Sequence, residues 1–317
     1  MILVTGAAGF VGGALVRRLA ADHAFGGVVA AVRRKAMAWP EVVRQVQVGD
    51  LLPTSSWSNA LIGVDAVVHC AARVHVMNDD ATDALQAYRE VNVSCTLNLA
   101  RQAALAGVRR FVFMSSIKVN GEFTEAGQPF TADDAPAPKD PYGVSKHEAE
   151  QLLRLIAAET GMEMVIIRPP LVYGPGVKAN FESMMQWLAR GVPLPLTAVT
   201  QNRRSLVALD NLVDLIVTCL HHPAAANQTF LVSDGEDIST AELLNRMGAA
   251  MVHPARLFYL PPVLLKLGAT IINKPGIYQR LCGSLQLDIA KTRQLLEWIP
   301  PVSVDEGLRH AAEGFRP

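Results

Sequence analysis

Several features that mark specialised classes of protein are scarce in this chain of 317 residues. It has no excess charge, because Lys and Arg number 29 and Asp and Glu also number 29. No global field therefore draws the chain to nucleic acid or to an anionic membrane. Cysteine is also sparse, and the four cysteines contain no CxxC pair. This spacing argues against zinc, an iron–sulfur cluster or a disulfide framework, so no metal site is predicted.

Long apolar runs are missing as well. The longest, Leu257 to Ile272, is broken by Pro261, Pro262 and Lys266 and is too short to span a bilayer. The first residues lack the basic region and cleavage site of a signal peptide. Hydrophobic residues nevertheless make up 50% of the chain, which suffices for a large core. We therefore expect a cytoplasmic protein without membrane insertion.

What the chain does contain is a repeated alternation of short β-rich apolar runs with helical patterns at 11–21, 82–106 and 143–160. This alternation predicts an α/β fold, a Rossmann-type doubly wound parallel sheet with a smaller mixed domain. The cofactor domain is expected from 1–168 and 205–233, and the second, substrate-binding domain from 169–204 and 234–317. The predicted strands are Ile2–Thr5, Val28–Val32, Val46–Val48, Ala66–His69, Phe111–Ser115, Val165–Arg168 and Phe230–Ser233.

A glycine-rich turn follows the first predicted strand and opens the first helix. Gly6, Gly9 and Gly12 have the spacing GxxGxxG, with Phe10 and Val11 between the last two. Such glycines let backbone N–H groups approach a pyrophosphate, which then lies at the positive end of the helix. The alternative is a tight strand–helix turn without a ligand. Because the turn belongs to a repeating β/α pattern, these five residues are predicted to bind a dinucleotide.

Basic residues end the second predicted strand. The adenosine ribose is expected about 20 positions after the last glycine, and Arg33 and Arg34 stand there. A carboxylate at this place would accept hydrogen bonds from the 2′-hydroxyl of NAD, whereas guanidinium groups bind a 2′-phosphate. The alternative is a solvated basic turn. The pair favours NADP(H) over NAD(H).

A candidate acid/base pair lies in the middle of the chain. Tyr142 and Lys146 are four residues apart, on one face of a predicted helix. A nearby cation favours phenolate, so a tyrosine with a pKa of about 10 can act closer to neutral pH. YxxxK alone is a frequent surface pairing. Together with Ser115 and Ser116 at the end of the fifth strand, the pattern predicts an active site.

These motifs, in their order and spacing, resemble the extended short-chain dehydrogenase/reductase family of nucleotide-sugar epimerases, dehydratases and reductases. The resemblance covers nearly the whole chain. The segments that carry it are TGAAGFVG, Gly49-Asp50-Leu51, His69-Cys70-Ala71-Ala72, VNVSCTLNL, FVFMSSIKVNGE, PYGVSKHEAE, RPPLVYGPG, Asn180-Phe181 and NRRSLVALDNLVDLI.

The resemblance implies a role for each matching position. Tyr142 is the acid/base, and Lys146 holds the nicotinamide ribose and lowers the tyrosine pKa. Ser116 bonds the reacting sugar oxygen, with Ser115 as the second candidate. His69 is expected to be structural. The further cofactor contacts implied are Asp50 and Leu51 at the adenine, Ala71 and Ala72 beside the cofactor, and Asn92, which steadies the loops below it.

Two departures from the family pattern narrow the function. The related 4,6-dehydratases carry an Asp-Glu pair just after the serine, where this chain has Ile117 and Lys118. A dehydratase is therefore not expected. The usual tyrosine of the VYG segment is replaced by Asn120, which is expected to change the lining of that region.

On the substrate side, the resemblance implies a nucleoside diphosphate sugar, most often linked to UDP. Asn180, at the start of a helix, can donate to the diphosphate. Arg204 matches the diphosphate-binding arginine of the family, and Arg280 is a further candidate that could close the pocket. His75 lies near the expected sugar site, although a solvated loop explains it equally well.

The function expected from this combination is NADPH-dependent reduction of the C4 keto group of a UDP-linked 4-keto-6-deoxy sugar, in the synthesis of polysaccharide precursors. The alternative is a UDP-hexose 4-epimerase that uses the same residues with tightly bound NAD. A dinucleotide-sensing protein without catalysis is disfavoured by the intact Tyr142, Lys146 and Ser116. The family's dimers pair through the long helices, so a homodimer is expected through 82–106 and 143–160.

Overall fold

The computed structural model describes residues 1–22, 24–34, 39–74, 83–125, 127–271 and 275–316. Within these residues, the chain alternates strands and helices through its first half and becomes mainly helical after residue 240. The strands are β1 Ile2–Thr5, β2 Val28–Val32, β3 Val43–Gln47, β4 Ala66–His69, β5 Arg110–Met114, β6 Glu163–Arg168, β7 Leu171–Tyr173, β8 Arg204–Ala208, β9 Thr229–Leu231 and β10 Asp237–Ile238. The α-helices are α1 Phe10–Ala20, α2 Ser58–Leu61, α3 Ala84–Arg89, α4 Thr96–Leu105, α5 Pro141–Thr160, α6 Ala179–Ala189, α7 Leu209–His221, α8 Thr240–Ala250, α9 Pro262–Ile271, α10 Pro275–Cys282, α11 Ala290–Leu296 and α12 Val304–Glu313.

The larger sheet has the strand order β3-β2-β1-β4-β5-β6-β9, and every pairing in it is parallel. This is the order of a doubly wound fold, in which the direction of winding reverses between β1 and β4. The central strands are buried along their whole length, as expected for a sheet covered on both faces. The predicted α/β fold of the Rossmann type is confirmed.

Separate layers of helix cover the two faces of this sheet. The core on one side contains Leu15 and Leu19 of α1 with Leu212 of α7. The core on the other side contains Leu99 of α4 and Leu153 of α5. Because the strands are parallel, their carboxyl ends lie along one edge of the sheet, between the two layers of helix. In such sheets, ligands bind outside the carboxyl ends of the strands at the reversal point.

A smaller sheet, β10-β8-β7, forms the base of the second unit, with β8 parallel to β7 and antiparallel to β10. Its core contains side chains of α6, α8 and α12. The predicted domain boundary at 205 therefore falls inside β8, which belongs to the smaller sheet. In addition, the later segment returns to the large domain, where Leu285, Leu287 and Trp298 join the core beside α1 and α7.

A buried hydrogen-bond network ties the two units together. Tyr173 of β7 donates to Asp234 over 2.7 Å, and Asn211 of α7 donates to the other carboxylate oxygen over 2.7 Å. Burial raises the pKa of Tyr173 above its ordinary value, so the phenol remains a donor. These hydrogen bonds thus join the smaller unit directly to the larger one.

Several predicted elements differ from the structure. β5 lies one residue earlier than the predicted Phe111–Ser115, and β6 begins two residues before the predicted Val165. The predicted helices 11–21 and 143–160 are α1, which lies one residue earlier, and α5, which begins two residues earlier. β3 extends from Val43 to Gln47, so the predicted Val46–Val48 overlaps only its last two residues. The predicted helix 82–106 is α3 and α4 joined by a π-helical segment, Glu90–Cys95; residue 82 lies outside the described residues. The predicted Phe230–Ser233 is shifted to β9. No helix within the described residues is both long and apolar enough to cross a bilayer.

Candidate active site

The glycine turn connects β1 to α1 at the reversal point of the sheet. Gly6 has φ of 64°, and a Cβ placed on it would lie 2.9 Å from the amide nitrogen of Ala71. The turn after β1 is thus pressed against the segment after β4, as the predicted contacts required. Among the described residues, no side chain caps α1, whose N-cap is Gly9. The first backbone N–H groups of α1 can therefore bind an anion, and this fits the pyrophosphate of a dinucleotide.

Replacing Gly12 by alanine is expected to weaken binding of the nicotinamide dinucleotide by about tenfold or more. The new Cβ would lie 2.3 Å from the carbonyl oxygen of Gly6, so backbone of the turn must shift, at a typical cost of roughly 1–3 kcal/mol. Gly13→Ala is the matched control, because its Cβ would approach the Ala7 carbonyl oxygen only to 3.2 Å. Calorimetric titration with NAD measures both. Equal affinities for the two variants would contradict this role of Gly12.

His69 supports the same turn from inside the sheet. Its Nδ1 lies 2.7 Å from the hydroxyl of Thr5, and its Nε2 lies 2.9 Å from the hydroxyl of Thr96. Burial lowers the pKa of His69 to about 3, with the Lys146 charge acting in the same direction. The imidazole is therefore neutral at ordinary pH and bridges β1 to α4, which agrees with the structural role expected for it.

Asn92 lies in the π-helical segment and holds the loop that follows β4. Its side chain accepts from the Arg73 amide over 2.8 Å, donates to the Arg73 carbonyl over 3.0 Å and donates to Ser145 over 3.0 Å. The loop bearing Ala71 and Ala72 is thus fastened to α5. This is the arrangement expected of a residue that steadies the cofactor loops. His75 lies outside the described residues.

The residues predicted to bind the adenosine lie at an exposed edge of the sheet. Arg33 and Arg34 are exposed at the end of β2, and an Arg33 nitrogen lies 3.9 Å from the carboxylate of Asp50. Leu51 packs partly against the core of the α4 side. The predicted basic pair and the predicted adenine contacts therefore meet at one edge, which carries both signs of charge.

The first turn of α5 positions the predicted acid/base. Asp140 is the N-cap and accepts from the amide of Gly143 over 2.7 Å. A Cβ on Gly143 would lie 2.8 Å from the carbonyl oxygen of Lys118. Only a glycine therefore allows α5 to approach the turn that follows Ser116. Tyr142 stands beside this contact, partly exposed, and its ring meets that of Tyr88 edge-on at 6.0 Å.

Lys146 lies one turn further along α5, fully enclosed. Its Nζ donates to the Met114 carbonyl over 2.7 Å and lies 4.5 Å from the Phe113 ring and 5.9 Å from the Tyr142 ring. Burial lowers the pKa of Lys146 to about 8, and the nearby Glu150 charge acts against this. The helical spacing thus places the ammonium beneath the tyrosine, as predicted.

The predicted lowering of the Tyr142 pKa is not seen in this structure. Desolvation raises the pKa of Tyr142, and the charges of Asp140 and Tyr88 raise it further. The reason is that Lys146 is directed at the Met114 carbonyl, whereas the Asp140 carboxylate lies at the start of the same helix. Tyr142 is therefore held as a phenol.

The two serines after β5 have different environments. Ser116 is half-buried, and its Oγ accepts from the Lys118 amide over 3.2 Å, which leaves the hydroxyl proton available to a substrate oxygen. Ser115 is buried and donates to Glu150 over 2.5 Å. Ser115 is therefore part of the core, and its inclusion among the substrate-binding residues is corrected.

Asn120 belongs to the same buried network. Glu150 accepts from two nitrogens of Arg168, over 2.9 and 2.5 Å, and Arg168 donates to the side chain of Asn120 over 2.9 Å. Asn120 also donates to the Thr131 carbonyl over 2.8 Å. It is only 2% exposed. The expectation that this substitution changes the lining of the site is therefore corrected: Asn120 completes a buried charge cluster.

The predicted substrate residues lie in the second unit. Asn180 is exposed in the first turn of α6, directly after Ala179, whose φ of 59° is rare for a residue other than glycine. Arg204 donates to the carbonyls of Arg280 and Gly283 over 3.1 and 3.0 Å. The structure thus brings Arg204 and the Arg280 backbone together, while Asn180 stands on another element.

Sequence reasoning missed several residues that build the site. Asp140 and Gly143 fix the start of α5, and Lys118 forms an ion pair with Asp140. The Asp-Pro sequence at 140–141 is a helix-start signal that could have revealed the N-cap. Ser145 and Thr5 are detectable only through their partners in space.

Comparison with known proteins identifies relatives over the full chain. A UDP-glucose 4-epimerase from Vibrio cholerae is 48% identical over 314 residues, which cover 99% of this chain and 95% of that protein. The structure of MoeE5 in complex with UDP-glucuronic acid and NAD has a TM-score of 0.77 at 25% identity and covers 99% of this chain and 98% of that one. RMD from Pseudomonas aeruginosa, complexed with NADPH, has a TM-score of 0.73 at 22% identity and covers 99% of each chain.

The predicted reduction of a 4-keto-6-deoxy sugar is wrong. The overturning finding is the 48% identity to a UDP-glucose 4-epimerase, which supports the alternative instead. The prediction depended on Arg33 and Arg34 as a phosphate site, yet Arg33 faces the Asp50 carboxylate across an exposed edge. A basic pair of this kind does not decide between a reductase and an epimerase.

The family assignment follows from the larger part of the chain. The model of the NAD dependent epimerase/dehydratase family matches residues 2–233, from β1 through the end of β9. That range includes the glycine turn, Ser116, Tyr142 and Lys146. The chain belongs to the NAD dependent epimerase/dehydratase family.

Proposed function

We propose that this chain is a UDP-hexose 4-epimerase that retains NAD through the catalytic cycle. The observation that carries the proposal is the 48% identity to a UDP-glucose 4-epimerase, which extends over 99% of the chain. The placement of Ser116, Tyr142 and Lys146 at the carboxyl edge of the large sheet supports it.

The proposed reaction needs one acid/base group used twice. Tyr142 takes the proton from the C4 hydroxyl as a hydride leaves C4, and it returns that proton when hydride is added to the opposite face. Ser116 donates to the same sugar oxygen, and Lys146 beneath the ring supplies positive charge. Bound NAD would serve as hydride acceptor and donor and would add a positive charge that favours the phenolate. Net oxidation is zero over the cycle, so no external reductant is consumed.

NAD rather than NADP is proposed as the cofactor. An epimerase regenerates its cofactor in every cycle, so it does not need to release the cofactor in order to turn over. The edge formed by Arg33 and Asp50 carries both charges, and a carboxylate there can accept from ribose hydroxyls but would repel a second phosphate. The NAD in the MoeE5 complex favours the same assignment.

A homodimer through α4 and α5 forms part of the proposal. Leu152 and Leu155 of α5 and Leu105 of α4 are 37%, 58% and 89% exposed. Aliphatic side chains on neighbouring long helices suit a self-complementary interface of two such helices from each copy.

The proposal is tested with purified full-length protein and no added cofactor. UDP-glucose should be converted partly to UDP-galactose, and denatured protein should release NAD and little NADP. UDP-N-acetylglucosamine supplied in parallel identifies the preferred hexose. Absence of interconversion for both sugars, or release of NADP as the main nucleotide, would refute the proposal.

A further inference from the structure

An exposed apolar surface lies on the second unit, away from the proposed dimer helices. Phe258 and Tyr259 are 48% and 69% exposed, and Val263, Leu264 and Leu267 of α9 are 75%, 49% and 54% exposed. We call these five residues the α9 face. Five large apolar side chains within ten positions exceed the scattered exposure normal for a soluble surface.

The orientation of α9 explains why these side chains remain in solvent. Leu265 packs against the core of the second unit. Residues 263, 264 and 267 lie on the opposite side of the helix, since residues three and four apart share a face. Lys266 and Thr270 border that side and are also exposed. One face of α9 thus packs on the second unit, and the opposite face is exposed to solvent.

The segment that carries this surface has charges of one sign only. The chain as a whole is neutral, yet residues 243–287 contain no Asp or Glu. The same stretch contains five basic residues, of which Arg256 and Lys266 border the α9 face and are exposed. Branched aliphatics and aromatics flanked by cations are the composition of helices that lie in a membrane interface.

We propose that the α9 face docks on the surface of an anionic lipid bilayer. A second copy of the chain is a poorer occupant, because a symmetric contact would place Lys266 and Arg256 of both copies against like charges. Anionic headgroups complement the cations, and the acyl boundary receives the leucines. α9 packs against α10, whose Arg280 carbonyl accepts from Arg204. Docking would therefore place the substrate edge near the membrane.

Vesicle co-sedimentation with full-length protein tests the proposal. Binding is expected to vesicles of phosphatidylcholine mixed with phosphatidylglycerol, and much less to phosphatidylcholine alone. The double variant Leu264→Glu, Leu267→Glu should reduce partitioning by about tenfold or more. The matched control is Ile62→Glu, since Ile62 is 63% exposed on the cofactor unit; its partitioning should equal that of the parent.

Two further measurements test whether binding is electrostatic and whether the double variant is folded. Raising the ionic strength to about 1 M shortens the Debye length to roughly 3 Å and should weaken binding. Turnover of the soluble UDP-hexose should be unchanged in the double variant, which shows that it is folded. The proposal is overturned if the parent does not bind the anionic vesicles, or if Ile62→Glu loses as much binding. It is also overturned if sedimentation velocity shows that the double variant breaks a dimer.

Discussion

The Tyr142→Phe variant is expected to lose roughly 10²–10⁴-fold in turnover of a UDP-hexose, the usual worth of a positioned proton-transfer group. The phenyl ring preserves the edge contact with Tyr88, so the fold and the bound nucleotide should be retained. The loss comes from the missing hydroxyl, because in the proposed cycle the Tyr142 oxygen accepts the proton of the sugar in the first half.

The pH dependence provides a second readout of the same group. Because desolvation raises the pKa of Tyr142, the phenol predominates at neutral pH. The first step needs phenolate, so kcat of the parent should rise with pH while the tyrosine loses its proton. The Tyr142→Phe variant should lack this limb of the profile.

Tyr88→Phe is the matched control, because it removes a hydroxyl from the neighbouring ring, where that hydroxyl donates to the Val74 carbonyl at 3.5 Å. Turnover of this variant should stay within a few-fold of the parent. Comparable rates for Tyr142→Phe and Tyr88→Phe would remove Tyr142 from the mechanism.

The Arg168→Leu variant is expected to lose about 3–5 kcal/mol of unfolding free energy, the cost of leaving one buried charge without its partner. Arg168 and Glu150 are 3% and 2% exposed. A leucine at this position cannot donate hydrogen bonds, so the Glu150 carboxylate and the Asn120 side chain would both lose a partner. Denaturation in urea, monitored by circular dichroism, measures the loss.

Two controls separate charge from packing. Lys291→Met breaks an ion pair with Asp133, which is 73% exposed, and should cost less than about 1 kcal/mol. Adding Glu150→Leu to Arg168→Leu removes the orphaned charge and should recover part of the stability. If Arg168→Leu costs no more than Lys291→Met, the buried pair does not stabilise the fold.

Sequence reasoning succeeded where one periodicity decides the structure. The bounds of β1, β2 and β4 were predicted to the residue, because strands at the centre of a parallel sheet are continuous apolar runs. It was less accurate at β3, an edge strand whose side chains Arg44 and Gln45 are half-buried and interrupt the apolar pattern. The prediction also placed residues 205–208 in the cofactor domain, whereas β8 pairs in the smaller sheet. This pairing depends on tertiary contacts that cannot be read from the sequence of β8 itself.

For the candidate site, too, local spacing could be read from the sequence, whereas tertiary contacts could not. Tyr142 and Lys146 could be proposed as a pair because a four-residue spacing on a helix places both on one face. Ser115 and Ser116 are chemically identical, and the contact that distinguishes Ser115 is made by Glu150, 35 positions away. The Tyr142 pKa depends on desolvation and on where Lys146 is directed, and neither follows from spacing.

The π-helical segment at 90–95 makes the chain sensitive to loss of a single residue there. Before it, Tyr88 and Arg89 contact α5 through the Tyr142 ring and the Glu148 carboxylate; after it, Thr96 bonds His69. An α-helix advances by roughly 100° per residue, so a one-residue deletion that restored regular winding would rotate one group of contacts away from its partners. A more regular helix would then give a poorer enzyme. The extra residue should accordingly be treated as part of the active-site framework in any engineering of this chain.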